Sequence, residues 1–172
     1  TVVSLPAYHW KWRMRHAAIT MARQLKEAPY QDSRWDIVFC SDMLNLPEFR
    51  GLAPAHVAGL KTILYFHENQ LTYPSQQPRA WDYHFSFTNF TSAISADGIW
   101  FNTKFHRDEM FSALVDFLQR MPDHQPLNEI EALKEKAGVQ YPGIDLIEPL
   151  SSRPAGLPRI TWAARWEHDK DP

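Results

Sequence analysis

The sequence lacks the features that mark several classes of protein. Cys40 is its single cysteine, which excludes an internal disulfide framework and is typical of proteins in a reducing compartment. Only six glycines are present, and none forms a GxGxxG or GxxxxGK[ST] phosphate loop or a GxSxG nucleophile elbow. The sequence contains no run of about 18 apolar residues, the length that a membrane-spanning helix requires. We therefore predict no transmembrane segment and expect the chain to reside in the cytoplasm.

An excess of charge of one sign is also missing. Lysines and arginines number 18 and aspartates and glutamates number 20, so the net charge is −2. This balance excludes a globally basic nucleic-acid-binding protein but leaves room for a local basic patch. Aromatic residues are abundant, with seven Trp, ten Phe and six Tyr, and we expect several Trp at a cleft or interface where the indole N–H finds a partner. The 172 residues are enough for one domain with a sizeable core.

Short apolar runs alternate along the chain with longer segments of helical periodicity. Four runs are predicted as strands buried on both faces: Thr1–Leu5, Asp36–Cys40, Lys61–Phe66 and Gly98–Asn102. Helices are predicted after the first, third and fourth runs, the last with Thr103 as its N-cap. A shorter helix is predicted from Asn128, which has capping-box spacing to Glu131. This alternation predicts an α/β fold with a doubly wound parallel sheet and right-handed crossovers.

Other segments depart from this alternation. Leu44–Pro54 and Leu71–Pro78 are rich in proline and polar residues, are predicted to be irregular, and follow strand ends, where open α/β sheets form their ligand crevice. Residues 151–158 are predicted as a linker, and the apolar run that begins at Arg159 as the first strand of another domain. We therefore assign residues 1–150 to one domain and residues 159–172 to the start of a second.

The segment Thr62–Gln70, TILYFHENQ, carries the clearest candidate site. Its predicted strand runs directly into His67, Glu68, Asn69 and Gln70 at the expected crevice. Imidazole and amide groups there can hydrogen-bond a sugar hydroxyl or phosphate, or assist proton transfer near neutral pH. The structural alternative is that His67 caps the following turn and Asn69 satisfies the loop backbone. A zinc-protease HExxH motif is excluded because position 71 is leucine.

The segment Tyr8–His16, YHWKWRMRH, interleaves cations with aromatic rings. Phosphate pairing and base stacking, which a nucleotide or RNA surface requires, use groups of this kind. An ordinary helix start with packed Trp and solvated basic side chains explains the segment equally well.

The C-terminal segment Arg165–Pro172, RWEHDKDP, is the third candidate. Arg165 and Lys170 follow a predicted strand, where a bidentate guanidinium and a point charge can converge on a pyrophosphate. Asp169 and Asp171 flank Lys170 in a loose Asp-x-Asp metal pattern, but the lysine weakens a cation site, so no metal is predicted. Without further context, a charged surface turn also explains the segment.

Six strings of the sequence resemble the tRNA-queuosine α-mannosyltransferase family: PAYHWKWRMR, SDMLNLPEF, KTILYFHENQLTYP, WFNTKFHRDEMF, MPDHQP and RWEHDKDP. The resemblance implies a GT-B glycosyltransferase, with two Rossmann-like domains and the active site between them, of which this chain would be the N-terminal half. It implies retaining transfer of mannose from GDP-mannose to queuosine in the anticodon of tRNA-Asp, without a metal cofactor.

The resemblance also implies roles for individual residues. Arg165 and Lys170 would hold the donor diphosphate, and His67 would be the catalytic residue at the sugar side of the cleft. The acceptor-side contacts would come from His9, Trp12, Arg13, Glu68, Asn69 and Gln70.

The chain departs from the family pattern at both ends. The family opens with another strand and a Gly-Gly-Ser-His-type loop before the segment that starts here at Thr1, and its donor-binding domain continues beyond the segment that ends here at Pro172. We therefore expect these residues to be truncated at both ends and inactive by themselves. Two alternatives stay open: a GT-B transferase with another donor or acceptor, and a non-catalytic module that binds RNA or nucleotide through the Trp and Arg segment.

Overall fold

A four-stranded, all-parallel sheet is the framework of the chain. The computed structural model describes residues 1–74 and 83–146, together with 148, 156, 157, 161 and 163. The strands are β1 (Ile37–Ser41), β2 (Lys61–Phe66), β3 (Gly98–Phe101) and β4 (Ala137–Val139). They lie side by side in sequence order. The predicted α/β class with a parallel, Rossmann-like sheet is confirmed.

One helix precedes β1, and the other helices connect each strand to the next. In chain order the helices are α1 (Trp10–Gln24), α2 (Leu46–Leu52), α3 (Ala55–Ala58), α4 (Tyr83–Ser95), α5 (Lys104–Gln119) and α6 (Glu129–Glu135). Each new strand is added on the same side of the previous one, so right-handed crossovers place the connecting helices on one face of the sheet. The strand side chains in the buried core alternate along the chain and therefore share one face: Cys40, Leu64, Phe66, Ile99 and Phe101.

The opposite face of the sheet is more open in the part of the chain that the structure describes. Ile37 and Phe39 are exposed, and Ile63 and Trp100 are half-buried. Tyr65 is buried, and its hydroxyl donates to the carbonyl of Gln140 at 2.9 Å. The apolar core of the described residues therefore lies on the helix side of the sheet.

The prediction of a strand over Thr1–Leu5 is wrong. Val3 and Leu5 pack against the core, but the described sheet contains no strand from this segment. Thr1 and Val3 instead line a groove of about 230 Å³ together with strand β1. A run of β-branched residues becomes a strand only where a neighbouring strand completes its backbone hydrogen bonds.

Two predictions about helices also need correction. Leu44–Pro54 is not irregular, because it contains α2, which begins with Asn45 as N-cap accepting from the Glu48 amide at 3.3 Å and with proline in its first turn. The helix predicted from Asn128 exists as α6, but the capping box does not form. The Asn128 amide group donates instead to the neighbouring carboxylate of Glu129 at 3.2 Å.

The chain divides into two compact units, residues 1–73 with 82–141 and residues 74–81 with 142–172. The sheet and its helices belong to the first unit. Most of the predicted linker, 151–158, and of the predicted second-domain start, 159–172, lies outside the described residues. None of the described helices is long and apolar enough to cross a membrane.

Candidate active site

Polar residues follow three neighbouring strands at the edge where those strands end. Asp42 comes directly after β1, His67 after β2 and Asn102 after β3. Parallel strands bring their carboxyl ends to one edge, which is the ligand crevice of open α/β sheets. Hydrogen bonds join the three residues there. The Asp42 carboxylate accepts from the His67 backbone amide at 3.2 Å, and the Asn102 side chain donates to the His67 carbonyl at 2.8 Å.

The imidazole of His67 is held on one side and open on the other. Its Nδ1 lies 3.5 Å from Oδ1 of Asp42, whose side chain is 1% exposed, whereas the His67 side chain is 62% exposed. The ring also contacts Tyr65 edge-on, with 4.7 Å between ring centroids. These contacts restrain the ring and leave most of its surface available to a ligand.

The charges around His67 favour its protonated form. The contact with Asp42 raises the pKa of His67 above its ordinary value, partial burial opposes this effect, and the charges of Asp42 and Glu68 add to it. His106, on α5, behaves in the opposite way because burial lowers the pKa of its imidazole. Its Nδ1 lies 2.9 Å from the Asn102 side-chain oxygen, so a neutral His106 helps to hold Asn102 in place.

The loop after His67 is tied to itself and to α4. The buried Asn69 side chain accepts from the backbone amides of Leu71 and Thr72, both at 3.0 Å. The backbone amide of Gln70 donates to the Asn89 side-chain oxygen at 2.7 Å, and the Ser86 hydroxyl donates to the backbone carbonyl of Gln70 at 2.9 Å. The loop that carries the candidate site therefore has a fixed backbone.

Asp42 and Asn89 are site residues that the periodicity of the sequence did not single out. Asn89 is fully buried in α4, and its side chain also donates to the Asp42 carbonyl at 3.0 Å. The sequence feature that could have indicated Asn89 is an asparagine among the apolar positions of a helix, since a buried side-chain amide needs hydrogen-bond partners. Which partners it finds depends on the packing of α4 against the ends of β1 and β2.

The aromatic and basic segment predicted over Tyr8–His16 forms the start of α1. Trp12 is 66% exposed and His9 is exposed, whereas Arg13 is half-buried and donates to the Pro6 carbonyl at 3.2 Å. Arg15 stacks on Phe85 with its guanidinium 4.6 Å from the ring centroid. The segment therefore combines an open ring with cations that also pack against the protein.

The start of α1 and the His67 loop meet at the start of α4. Trp10 and Arg15 of α1 both contact Phe85. The next residue, Ser86, donates to the loop carbonyl of Gln70. One turn of α4 thus joins the two segments at the same end of the sheet.

Comparison with known proteins identifies the family of this chain. The family model described as tRNA-queuosine α-mannosyltransferase, N-terminal, matches residues 1–144. A tRNA-queuosine α-mannosyltransferase of Drosophila melanogaster is 30% identical over 182 aligned positions, which cover 99% of this chain and 47% of the fly protein. The chain belongs to the tRNA-queuosine α-mannosyltransferase family. It spans about half the length of this curated relative, and no solved structure matches it.

Family membership confirms the resemblance found in the sequence, but the predicted site residues have unequal structural support. His67, Glu68, Asn69 and Gln70 are brought together at the carboxyl edge of the sheet. Of these, Asn69 is buried with its amide bonded inside the loop, as the structural alternative expected. The predicted donor-binding residues Arg165 and Lys170 lie outside the described residues. Within the described ranges, no group of three His, Cys, Asp or Glu side chains is arranged to hold a metal ion.

Proposed function

We propose that this chain provides the acceptor-side domain of a retaining GT-B enzyme that transfers mannose from GDP-mannose to queuosine in the anticodon of tRNA-Asp. The observation that carries the proposal is the restrained, exposed imidazole of His67 at the carboxyl edge of the sheet, in a member of this family. The fly relative that bears the name of this activity supports the reaction class. The free, buried thiol of Cys40 fits a cytoplasmic enzyme.

In the proposed reaction, one bond to the anomeric carbon of mannose breaks and another forms. The bond from this carbon to the β-phosphate oxygen breaks, and a bond to the acceptor hydroxyl oxygen forms on the same face. The hydroxyl proton passes to the departing phosphate oxygen, so the step needs no dedicated protein base. As the resemblance implies, it also uses no metal cofactor; Arg165 and Lys170 are proposed to neutralise the diphosphate.

His67 is proposed to orient the sugar and to stabilise charge in this step. Its protonated imidazole is a hydrogen-bond donor held in place by the protein, and donors aimed at developing charge lower a transition-state barrier without reorganisation. Glu68 and Gln70 follow it in the loop, and the side-chain Nε2 of Gln70 donates to Oε1 of Glu68 at 3.4 Å. Polar groups at this edge are suited to the hydroxyl-rich acceptor.

The start of α1 is proposed as the tRNA-facing surface. The exposed Trp12 ring offers a stacking platform for a base, and His9 and Arg13 stand beside it in sequence. The contacts of α1 with Phe85 connect this surface with the loop that carries His67. The proposal therefore places tRNA recognition and sugar transfer at one end of the domain.

Transfer of label from radiolabelled GDP-mannose to tRNA tests the proposal in the full-length protein. We expect label only in tRNA that carries queuosine, and a loss of about a hundredfold in rate for His67→Ala. His56→Ala is the matched control. His56 is exposed and stacks on Trp35, and it lies in α3, which leads into the start of β2 and is therefore away from the carboxyl edge. The 172 residues alone are expected to show no transfer.

The outcomes separate the alternatives. If His67→Ala turns over within a few-fold of wild type, His67 has no place in the site. Binding of GDP-mannose without labelling of queuosine tRNA would favour a transferase with another acceptor. Binding of tRNA without binding of any sugar nucleotide would favour the non-catalytic module.

A further inference from the structure

A buried carboxylate lies directly beneath the exposed imidazole of the candidate site. Asp42 is the first residue after β1, and its backbone amide donates to the Tyr65 carbonyl at 3.0 Å. Its carbonyl accepts from the buried Asn89 side chain at 3.0 Å. The Asp42 backbone is therefore fixed to β2 and to α4, independently of its carboxylate.

Among the described residues, the hydrogen bond and the ion-pair contact of the carboxylate are both with His67. Oδ1 accepts from the His67 amide at 3.2 Å and lies 3.5 Å from His67 Nδ1. Oδ2 is buried and has no hydrogen-bond partner among the described residues. A buried carboxylate is costly without compensation, and in the part of the chain that the structure describes, the group within ion-pair distance that can carry a positive charge is the His67 ring.

We infer that Asp42 is a positioning residue, which turns Nδ1 of His67 toward the protein and directs Nε2 toward a ligand at the carboxyl edge of the sheet. With Nδ1–H donated to Asp42, the neutral ring presents the Nε2 lone pair and the protonated ring presents Nε2–H. The protonated ring can donate to an oxygen of a sugar or phosphate. This inference rests on the proposed function only in assigning the ligand, since the orientation of His67 is a property of the chain itself.

The ionisable groups around His67 come from four elements of the structure. Asp42 follows β1, Tyr65 lies on β2, Glu68 is in the same loop as His67, and His106 is on α5. The two carboxylates raise the pKa of His67. Burial lowers the pKa of His106, so this second imidazole adds little positive charge near neutral pH. Asp42 is the carboxylate in direct contact with the ring.

Nuclear magnetic resonance titration of His67 in the 172-residue chain tests the inference. We expect the neutral wild-type ring to be the Nδ1–H tautomer, and the pKa of the ring to fall in Asp42→Asn because the neighbouring carboxylate is lost. Asp97→Asn is the matched control, because Asp97 binds Lys61 and the Thr62 amide at the opposite edge of the sheet. The pKa of His67 should not change in this control.

An Nε2–H tautomer of neutral His67 in the wild-type chain would overturn the inference, whether or not Asp42→Asn folds. An unchanged pKa in a folded Asp42→Asn chain would overturn it as well. Transfer measured in the full-length protein then separates the two proposals. We expect the rate of Asp42→Asn to fall together with that of His67→Ala and its pH profile to shift to lower pH. If the titration changes but the rate does not, the role of His67 in transfer fails and its orientation by Asp42 stands.

Discussion

At the scale of single residues, His9 is a candidate acceptor-side residue whose backbone adopts a conformation that glycine adopts more readily. It precedes α1 with φ of 32° and ψ of 72°, in the left-handed region, and its side chain makes no capping hydrogen bond. A side chain with a Cβ atom is disfavoured there, whereas glycine is not. The conformation therefore has a cost that no capping bond offsets.

We predict that His9→Gly raises the free energy of unfolding by up to about 1 kcal/mol, because the backbone strain is relieved. His16→Gly is the matched control: it lies inside α1 and should lower the free energy of unfolding by about 1 kcal/mol. Urea denaturation of the two variants checks the difference in sign. Weaker tRNA binding by the more stable His9→Gly would show that the imidazole contributes to recognition rather than to folding.

Cys40 illustrates a residue whose chemistry follows from burial. Burial, with a smaller effect of the Asp42 charge, raises the pKa of the Cys40 thiol to about 12. The thiol stays protonated near neutral pH, and only the thiolate is a strong nucleophile. Cys40 therefore contributes to the packing of the core.

At the scale of the elements, the two faces of the sheet differ in what they contribute to stability. Phe101 on β3 is fully buried and stacks on Phe66 with 5.2 Å between centroids. Phe39 on β1 points to the opposite face and is 57% exposed, in contact with Tyr65 and Trp100. The same residue type therefore has two very different environments in one sheet.

We predict that Phe101→Ala lowers the free energy of unfolding by about 3–5 kcal/mol, because it leaves a cavity in the core. Phe39→Ala should lower it by about 1 kcal/mol or less, since a partly exposed ring loses few buried contacts. Denaturant unfolding of the 172-residue chain measures both. Equal losses would mean that the open face is covered in solution.

At the scale of the whole molecule, a chain of net charge −2 carries a local positive surface. The first half of helix α1 contains Lys11, Arg13 and Arg15, and the helix has no acidic residue. The chain therefore contains a basic helix that begins beside the candidate site, although its net charge is slightly negative. Such a helix attracts phosphates through an electrostatic term that weakens as salt is added.

We predict that Trp12→Ala weakens tRNA binding by about tenfold, corresponding to the loss of one stacked base. Trp12→Phe should keep most of the affinity because it keeps a stacking ring. Anisotropy titration of labelled tRNA with the 172-residue chain, repeated at several salt concentrations, measures both variants. An affinity of Trp12→Ala equal to that of wild type would remove α1 from the tRNA-facing surface.

The sequence alone determined the class of fold and the edge of the sheet at which the candidate site residues lie. The apolar runs at 36–40, 61–66 and 98–102 matched β1, β2 and β3 to within a residue at each end. Thr103 caps α5 as predicted, accepting from the His106 amide at 3.0 Å. These features are local: hydrophobic periodicity and capping groups act within a few residues, so they can be read from neighbouring positions.

Only the tertiary structure decided which polar residues meet. Asp42, His67 and Asn102 belong to three separate strand ends, and their hydrogen bonds span 25 and 35 positions of the chain. Thr1–Leu5 has the composition of a strand but pairs with no strand among the described residues, which no local pattern reveals. Contacts between distant residues depend on the order of the strands and the packing of α4 and α5, and these arise only when the whole sheet assembles.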